Sequence, residues 1–413
     1  QIKLDQLKVL TENVPADNVS PHQIALTVVD GFDNPIPDYT VKSIADHGAK
    51  MAQEGQTDAN GQLTVSLTNA QAGVTTVTLD VGGQEYPVKV TFMPNEKTAQ
   101  IKPDQLKVLT ENVPADGVSP HQIALKVVDG FDNPIPDYTV KSTADHGAEM
   151  AQEGQTDANG QLTVSLTNTQ AGVTTVTLDV GGQEYPVGVT FIPDEKTAQI
   201  HLGQQKVLTK NVPADDVSPH QIALTVADKS GNPIPNYTVK STADHGAKMA
   251  QEGQTDANGQ LTVSLTNAQA GVTTVTQEVG GQEYPVGVTF MPDEKTAQIK
   301  PDQLKVLTEN VPADGVSPHQ IALTVVDEFG NRIPGYTVKS TADHGAAMAQ
   351  EGQTDANGQL TVSLTNIQAG VTTVTLEVGG QEYPVKVTFV PDEKTAQIKL
   401  DQLKVLTENV PAD

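Results

Sequence analysis

Apolar and polar residues alternate along this chain with a period of two. Ile24, Leu26 and Val28 alternate with Ala25, Thr27 and Val29, the pattern of a half-buried strand. Pro35 and Pro37 interrupt it, and Tyr39 and Val41 open the next strand. Asp58-Ala59-Asn60-Gly61 reads as a turn, because glycine takes a positive φ at no steric cost. Beyond it Leu63, Val65 and Leu67 alternate with Thr64, Ser66 and Thr68, and Val77, Leu79 and Val81 form a further inward row. Gly82-Gly83 suits the two-residue hairpin loop whose twist matches that of the strands. The returning strand then places Tyr86, Val88, Val90 and Phe92 on one face. Pro87 lies on the other face and removes a ladder donor, which predicts an edge position. No segment shows helical periodicity of useful length.

The whole pattern recurs. QIKLDQLKVLTENVPAD begins at Gln1, and close copies begin at Gln100, Gln199, Gln298 and Gln397, a period of 99 residues. With a first strand around Val9, each copy contains about seven strands, the number expected of an immunoglobulin-like sandwich. The expected fold class is therefore all-β, with tandem immunoglobulin-like β-sandwich domains arranged as an elongated rod. The expected domains are residues 1–94, 100–193, 199–292 and 298–391, with 397–413 the truncated start of a fifth repeat. The short polar segment Met93–Ala99, with Pro94, should hold neighbouring copies end to end with limited bend. Four such units in line would span about 150 Å. The broken fifth copy suggests a piece of a longer array. Gln1 opens directly in repeat sequence, so targeting and anchoring elements are expected outside this piece.

Composition narrows the function classes. The formal net charge is −26, spread along the chain, and phosphate binding requires a cationic face. No nucleic acid partner is expected, and no membrane contact within these residues, since the charge also opposes anionic lipid. A long acidic rod repels its neighbours, so a monomer is the expected state. With no cysteine, disulfides, thiolate-bound zinc and thiol catalysis are all excluded. A unit near 100 residues can bury enough core to fold without such staples.

The nine histidines raise the question of catalysis or metal binding. His22 and His47 recur in every copy, whereas His201 stands alone. Asp46 beside His47, with serines nearby, has the composition of a nucleophile constellation, but catalysis needs convergence on a cleft. A turn or capping role is the plainer expectation. Calcium is the stronger alternative. Asp17 and Asp116 lie in the loop after the first strand, and Asp194-Glu195 and Asp293-Glu294 lie between copies. Calcium needs six to eight oxygen ligands, and Asn95 replaces the junctional acid in the first copy. Thr64, Thr68, Thr76 and Thr78 are read as outward residues with high β-propensity. Pro103 and Pro301, where the first copy has Leu4, are read as drift or as a stiffening of the junction. No catalytic, cofactor-binding or metal-binding residue is assigned, no cofactor is expected, and the chain is read as a non-enzyme.

Several runs, taken together, resemble the group 1 bacterial immunoglobulin-like domain of the intimin/invasin adhesins, the inverse autotransporters. They are Pro114–His121, Gly231–Pro235, Thr57–Gly61, Ala72–Thr78 and Val90–Phe92. The first two copies read Gly-Phe-Asp-Asn-Pro from Gly31 where the third reads Lys-Ser-Gly-Asn-Pro, a change expected of a tolerant loop. The resemblance implies an exported array on the bacterial cell surface, anchored in the outer membrane through an N-terminal barrel. In that family, recognition often sits in distal C-terminal domains. The implied role is a repetitive stalk that projects a binding tip, with a host cell-surface or extracellular-matrix component as partner of the whole protein. The alternative is that the repeats themselves bind host matrix or receptors through avidity.

Overall fold

A computed structural model describes residues 1–406. Of the truncated fifth copy expected at 397–413, residues 407–413 lie outside the described residues. The chain is nearly all β. Among the described residues, no helix is long and apolar enough to cross a membrane.

The first repeat shows the architecture. Its strands are β1 (Lys8–Val9), β2 (Val14–Pro15), β3 (His22–Thr27), β4 (Thr40–Ala45) and β5 (Lys50–Met51). β6 (Glu54–Gln56), β7 (Gln62–Thr68), β8 (Gly73–Val81) and β9 (Gln84–Met93) complete it. They form a four-stranded sheet in the order β1-β3-β7-β5 and a five-stranded sheet in the order β2-β9-β8-β4-β6. The nine segments exceed the seven strands expected. The first strand splits between the two sheets, and short edge segments form on either side of Ala52-Gln53. Asn13, at φ 51°, turns the chain from β1, which pairs antiparallel with β3, to β2, which pairs parallel with β9.

The alternation read from the sequence puts the expected residues inside. Ile24, Leu26, Val41, Leu67, Leu79 and Phe92 are buried in one core between the sheets. The Gly82-Gly83 hairpin forms as expected, with Val81 paired to Gln84 and both glycines at positive φ. Counting outward from that loop, Pro87 and Thr78 form a non-hydrogen-bonded pair. The missing N–H of Pro87 therefore faces the edge, which β2 covers only at Phe92 and Met93. The Asp58–Gly61 turn also forms, with Asp58 Oδ1 accepting the N–H groups of Asn60 and Gln62 at 2.8 Å each. A Cβ on Gly61 would lie 2.7 Å from Val28 O, so the position admits only glycine without a shift of backbone. The threonine expectation needs correction: Thr64 is exposed, but Thr68, Thr76 and Thr78 are half-buried, because neighbouring strands cover part of each side chain.

The repeats differ at their start. With Pro103 and Pro301, the second and fourth repeats begin with nine-residue strands, Gln100–Val108 and Gln298–Val306. Each has a bulge before Leu106 or Leu304. With Leu4, the first repeat makes a 3-10 turn at Leu4–Gln6 and a two-residue β1. Proline fixes its own φ and holds the residue before it extended, in keeping with the longer strand.

The chain divides into two compact units, each described by itself. The first is Gln1–Thr197 with Asp228–Asn232, and the second is Ala198–Ala227 with the residues from Pro233 onward. Each unit contains one complete passage from one repeat to the next, and there the linker is not free chain. In the first unit β9 runs to Met93, a 3-10 turn occupies Glu96–Thr98, and the next strand starts at Gln100.

Candidate functional site at the repeat junctions

Within the first unit, a loop of the second repeat docks onto the end of the first, and two residues carry the contact. Asp129 is fully buried and Asn133 is 8% exposed. Asp129 Oδ1 accepts the N–H groups of Phe131 (2.9 Å) and Asn133 (3.0 Å), which closes its own loop. Its Oδ2 accepts Asn133 Nδ2–H at 2.9 Å and, from the preceding repeat, the N–H of Asn95 at 3.0 Å. Asn133 then reaches across. Its Oδ1 accepts the N–H of Ala72 at 2.9 Å, and its Nδ2 donates to Ala70 O at 2.9 Å. Thr98 Oγ1 accepts the N–H of Gly130 at 3.0 Å. A buried carboxylate costs heavily unless its lone pairs are filled, and here N–H donors from both repeats fill them.

The arrangement repeats. In the second unit Asp327 Oδ2 accepts the N–H of Asp293 (3.1 Å), and Asn331 bridges Ala270 N–H and Ala268 O, both at 2.9 Å. In the first unit the segment Asp228–Asn232 makes the same bonds: Asp194 N–H to Asp228 at 3.1 Å, Ala171 N–H to Asn232 Oδ1 at 2.8 Å, and Asn232 Nδ2 to Thr169 O at 2.9 Å. The corresponding Asn34 of the first repeat is exposed and, among the described residues, bonds only within its own loop, to Asp30. Beside the docked loop of the first unit lies a cleft of about 560 Å³, bordered by Pro15, Met93, Pro94 and Ile135.

The residues singled out from sequence have other roles. His22 is 3% exposed. Its Nε2 donates to Thr91 O at 2.9 Å, a partner that can only accept, and its Nδ1 meets Thr11 Oγ1 at 2.9 Å. The ring packs edge-on against Phe92, with centroids 4.8 Å apart. It thus ties the β1–β2 crossing to β9, a buried structural role rather than that of a turn residue. His47 is the turn residue, at φ 54°, with Nδ1 3.4 Å from Asp46. Asp46 accepts the N–H of Thr76 at 2.7 Å. The nearby serines point elsewhere: Ser43 Oγ donates to Ala52 O and Ser20 Oγ to Asp17. His201 is half-buried, and its carbonyl accepts the N–H of Gln204 at 3.0 Å.

The acidic candidates are occupied by local donors. Asp17 accepts from Val19 N–H, Ser20 N–H and Ser20 Oγ, and Asp116 accepts from the equivalent groups of Val118 and Ser119. Asp194 and Asp293 cap the junctional 3-10 turns by accepting the N–H of Lys196 and Lys295, each at 3.2 Å. Asn95 accepts the N–H of Lys97 at the same 3.2 Å, so an amide oxygen does this work as well as a carboxylate. Glu195 and Glu294 are exposed. Among the described residues, no group of three or more His, Cys, Asp or Glu side chains converges as a metal ion requires.

Sequence reading missed the lock itself. Its signal is an Asp and an Asn four residues apart, Asp30/Asn34, Asp129/Asn133, Asp228/Asn232 and Asp327/Asn331, around residues that vary from copy to copy. Read as a tolerant loop, the segment drew attention to the variable residues rather than to the two fixed ones.

A chain of tandem immunoglobulin-like sandwiches joined by hydrogen-bonded junctions is a modular repeat protein. It belongs to the bacterial Ig-like domain (group 1) family, whose profile matches residues 5–93, 104–192, 204–291 and 302–390. The chain is 29% identical to the inverse autotransporter adhesin YeeJ of Escherichia coli (strain K12), over 92% of this chain and 17% of that protein. It is 23% identical to the invasin of Yersinia enterocolitica, over 52% of this chain and 26% of that one. Among solved structures, invasin, described as a bacterial integrin-binding protein, covers 93% of this chain and 78% of its own, at 21% identity and a TM-score of 0.46. The chain thus spans about a sixth to a quarter of the length of these two relatives. It is a region of tandem Ig-like repeats homologous to repeats of an inverse autotransporter adhesin and of an invasin.

Two predictions follow from this geometry. Asn133→Ala removes the acceptor of Ala72 N–H and a donor to Asp129, costing the junction about 1–3 kcal/mol. Spin labels on cysteines introduced either side of this junction should show a broadened distance distribution. The same change at exposed Asn34 should leave it unaltered. The second concerns acid. The backbone N–H and hydroxyl of Ser317, with Val316 N–H, hold the Asp314 carboxyl down at about 2 from 3.8. The His344 ring and Thr373 N–H also hold Asp343 below its usual value. A depressed folded-state pKa stabilises the fold above the unfolded value, and that contribution disappears as pH falls through the folded one. The thermal midpoint should begin to fall at about pH 5 and drop steadily to about pH 2, with a shallower fall in Asp314→Asn.

Proposed function

We propose that this chain is a stalk segment of a bacterial surface adhesin of the intimin/invasin type. The Asp–Asn lock is the observation that carries this reading. Each lock spends a buried carboxylate and a buried or half-buried amide on fixing one repeat to the next, which serves a spacer that must keep its direction. On this reading the whole protein is anchored in the outer membrane through an N-terminal barrel. It projects a distal tip that binds a host cell-surface or matrix component. The repeats supply length, stiffness and independent folding. The even negative charge supports the same role by keeping neighbouring stalks apart.

A second reading, in which the repeats bind by avidity, draws support from one recurring feature. Val19, Val118, Val217 and Val316 stand 77–80% exposed at equivalent loop positions, one exposed apolar side chain in every repeat. Fragments of one, two and four repeats should be tested for binding to epithelial cells and purified matrix proteins. The stalk reading predicts no saturable binding at any length. Saturable binding that strengthens steeply with repeat number would replace it with the avidity reading.

A further inference from the structure

The third repeat departs from the others at two positions that touch. The first, second and fourth repeats carry the leucine pairs Leu7/Leu79, Leu106/Leu178 and Leu304/Leu376, and the third carries Gln205/Gln277. The leucines belong to, or pack against, a single core in each of the other three repeats. In the third, Gln205 Nε2 donates to Gln277 Oε1 and, at 3.2 Å, to Tyr284 O. Gln277 is fully buried. Among the described residues its Nε2 has no hydrogen-bond partner.

The effect on packing is visible. The buried apolar residues of the third repeat fall into two groups, one containing Leu224, Val226 and Val279, the other Ile222, Leu265 and Phe290, linked through half-buried Met249. The second and fourth repeats also hold one unpaired glutamine atom each, Gln105 Oε1 and Gln303 Oε1, so what sets the third repeat apart is that two amides replace the apolar contacts that two leucines make elsewhere. The two changes occur together, and one alone would set a glutamine against a leucine. The pair therefore lowers stability while keeping the repeat able to fold.

We propose that the third repeat is a built-in yielding element, the first of the four to open when the array is strained. It would lengthen the chain while its neighbours remain folded. The mechanical purpose rests on the stalk reading, but the order of opening does not, because it follows from the core alone.

Hydrogen exchange on the intact chain tests this without any binding partner, so its failure and that of the stalk reading are separable. Peptides running from residue 277 through Gly287, and their counterparts through Lys89, Gly188 and Lys386, differ in mass from one another in the unaltered chain and in each variant, so each repeat can be followed individually. The third-repeat peptide should exchange on the order of 10- to 100-fold faster than its counterparts around Leu178 and Leu376. In Q205L/Q277L that difference should vanish. In L106Q/L178Q the second repeat should become a fast one, a check that holds even if the leucine variant folds poorly. Equal exchange in all four repeats of the unaltered chain would overturn the proposal. So would fast exchange of the third repeat that persists in folded Q205L/Q277L, or a second repeat left slow in L106Q/L178Q.

Discussion

Within each unit, the junction between repeats depends on a carboxylate that one repeat buries and the preceding one helps to satisfy. Asp129 receives two N–H groups from its own loop, one from the Asn133 side chain and one from Asn95. Hydrogen bonds to an ionised acceptor are stronger than neutral ones, and burial makes them costly to lose. The last donor belongs to the preceding repeat, so the loop is fully satisfied only when that repeat is in place. Asn133 adds specificity of angle, because its amide fits one N–H and one carbonyl of the same short loop, at Ala72 and Ala70. A flexible tether would need none of this.

The same economy runs through each repeat. His22 ties the first segment of chain to the last strand by bonding Thr11 and Thr91 and packing on Phe92. The parallel pair of β2 with β9 lies beside it. Beginning and end of a repeat are thus held together, and β9 leads through one 3-10 turn into the next junction. The acidic side chains fit the same account. Asp17, Asp116, Asp194 and Asp293 shape turns and caps by accepting local N–H groups, and Asn95 performs one of these tasks without a charge.

Strands and hairpins were legible in the sequence because their cause is local. Alternation at Ile24, Leu26 and Val28, the Gly82-Gly83 loop and the edge proline at position 87 each declare themselves within a few residues. The count of strands was less legible. Whether the chain near Asn13 crosses from one sheet to the other depends on which partners it finds, and those lie about 80 residues further on at Phe92 and Met93. The lock was hidden for a similar reason. Asp129 and Asn133 look like turn formers, and their second set of partners, Asn95 and Ala72, belongs to another repeat. The histidines misled in the opposite direction, since chemistry-bearing side chains draw notice even where, as at His22, they serve packing. The Gln205/Gln277 pair was in plain view in an alignment of the copies. Its meaning required knowing that the two positions touch.

The central claim, that hydrogen bonds across the junction hold one repeat to the next, can be tested at single amides. The N–H groups of Ala72 and Asn95 find their acceptors on the following repeat, whereas the equivalent Ala369 of the fourth repeat is exposed. The measurement is residue-resolved amide exchange of the unaltered chain at neutral pH. The lock predicts that Ala72 and Asn95 exchange far more slowly than Ala369, at rates near those of the strands beside them. Exchange at Ala72 as fast as at Ala369 would mean that the junction is open in solution, and would contradict the account.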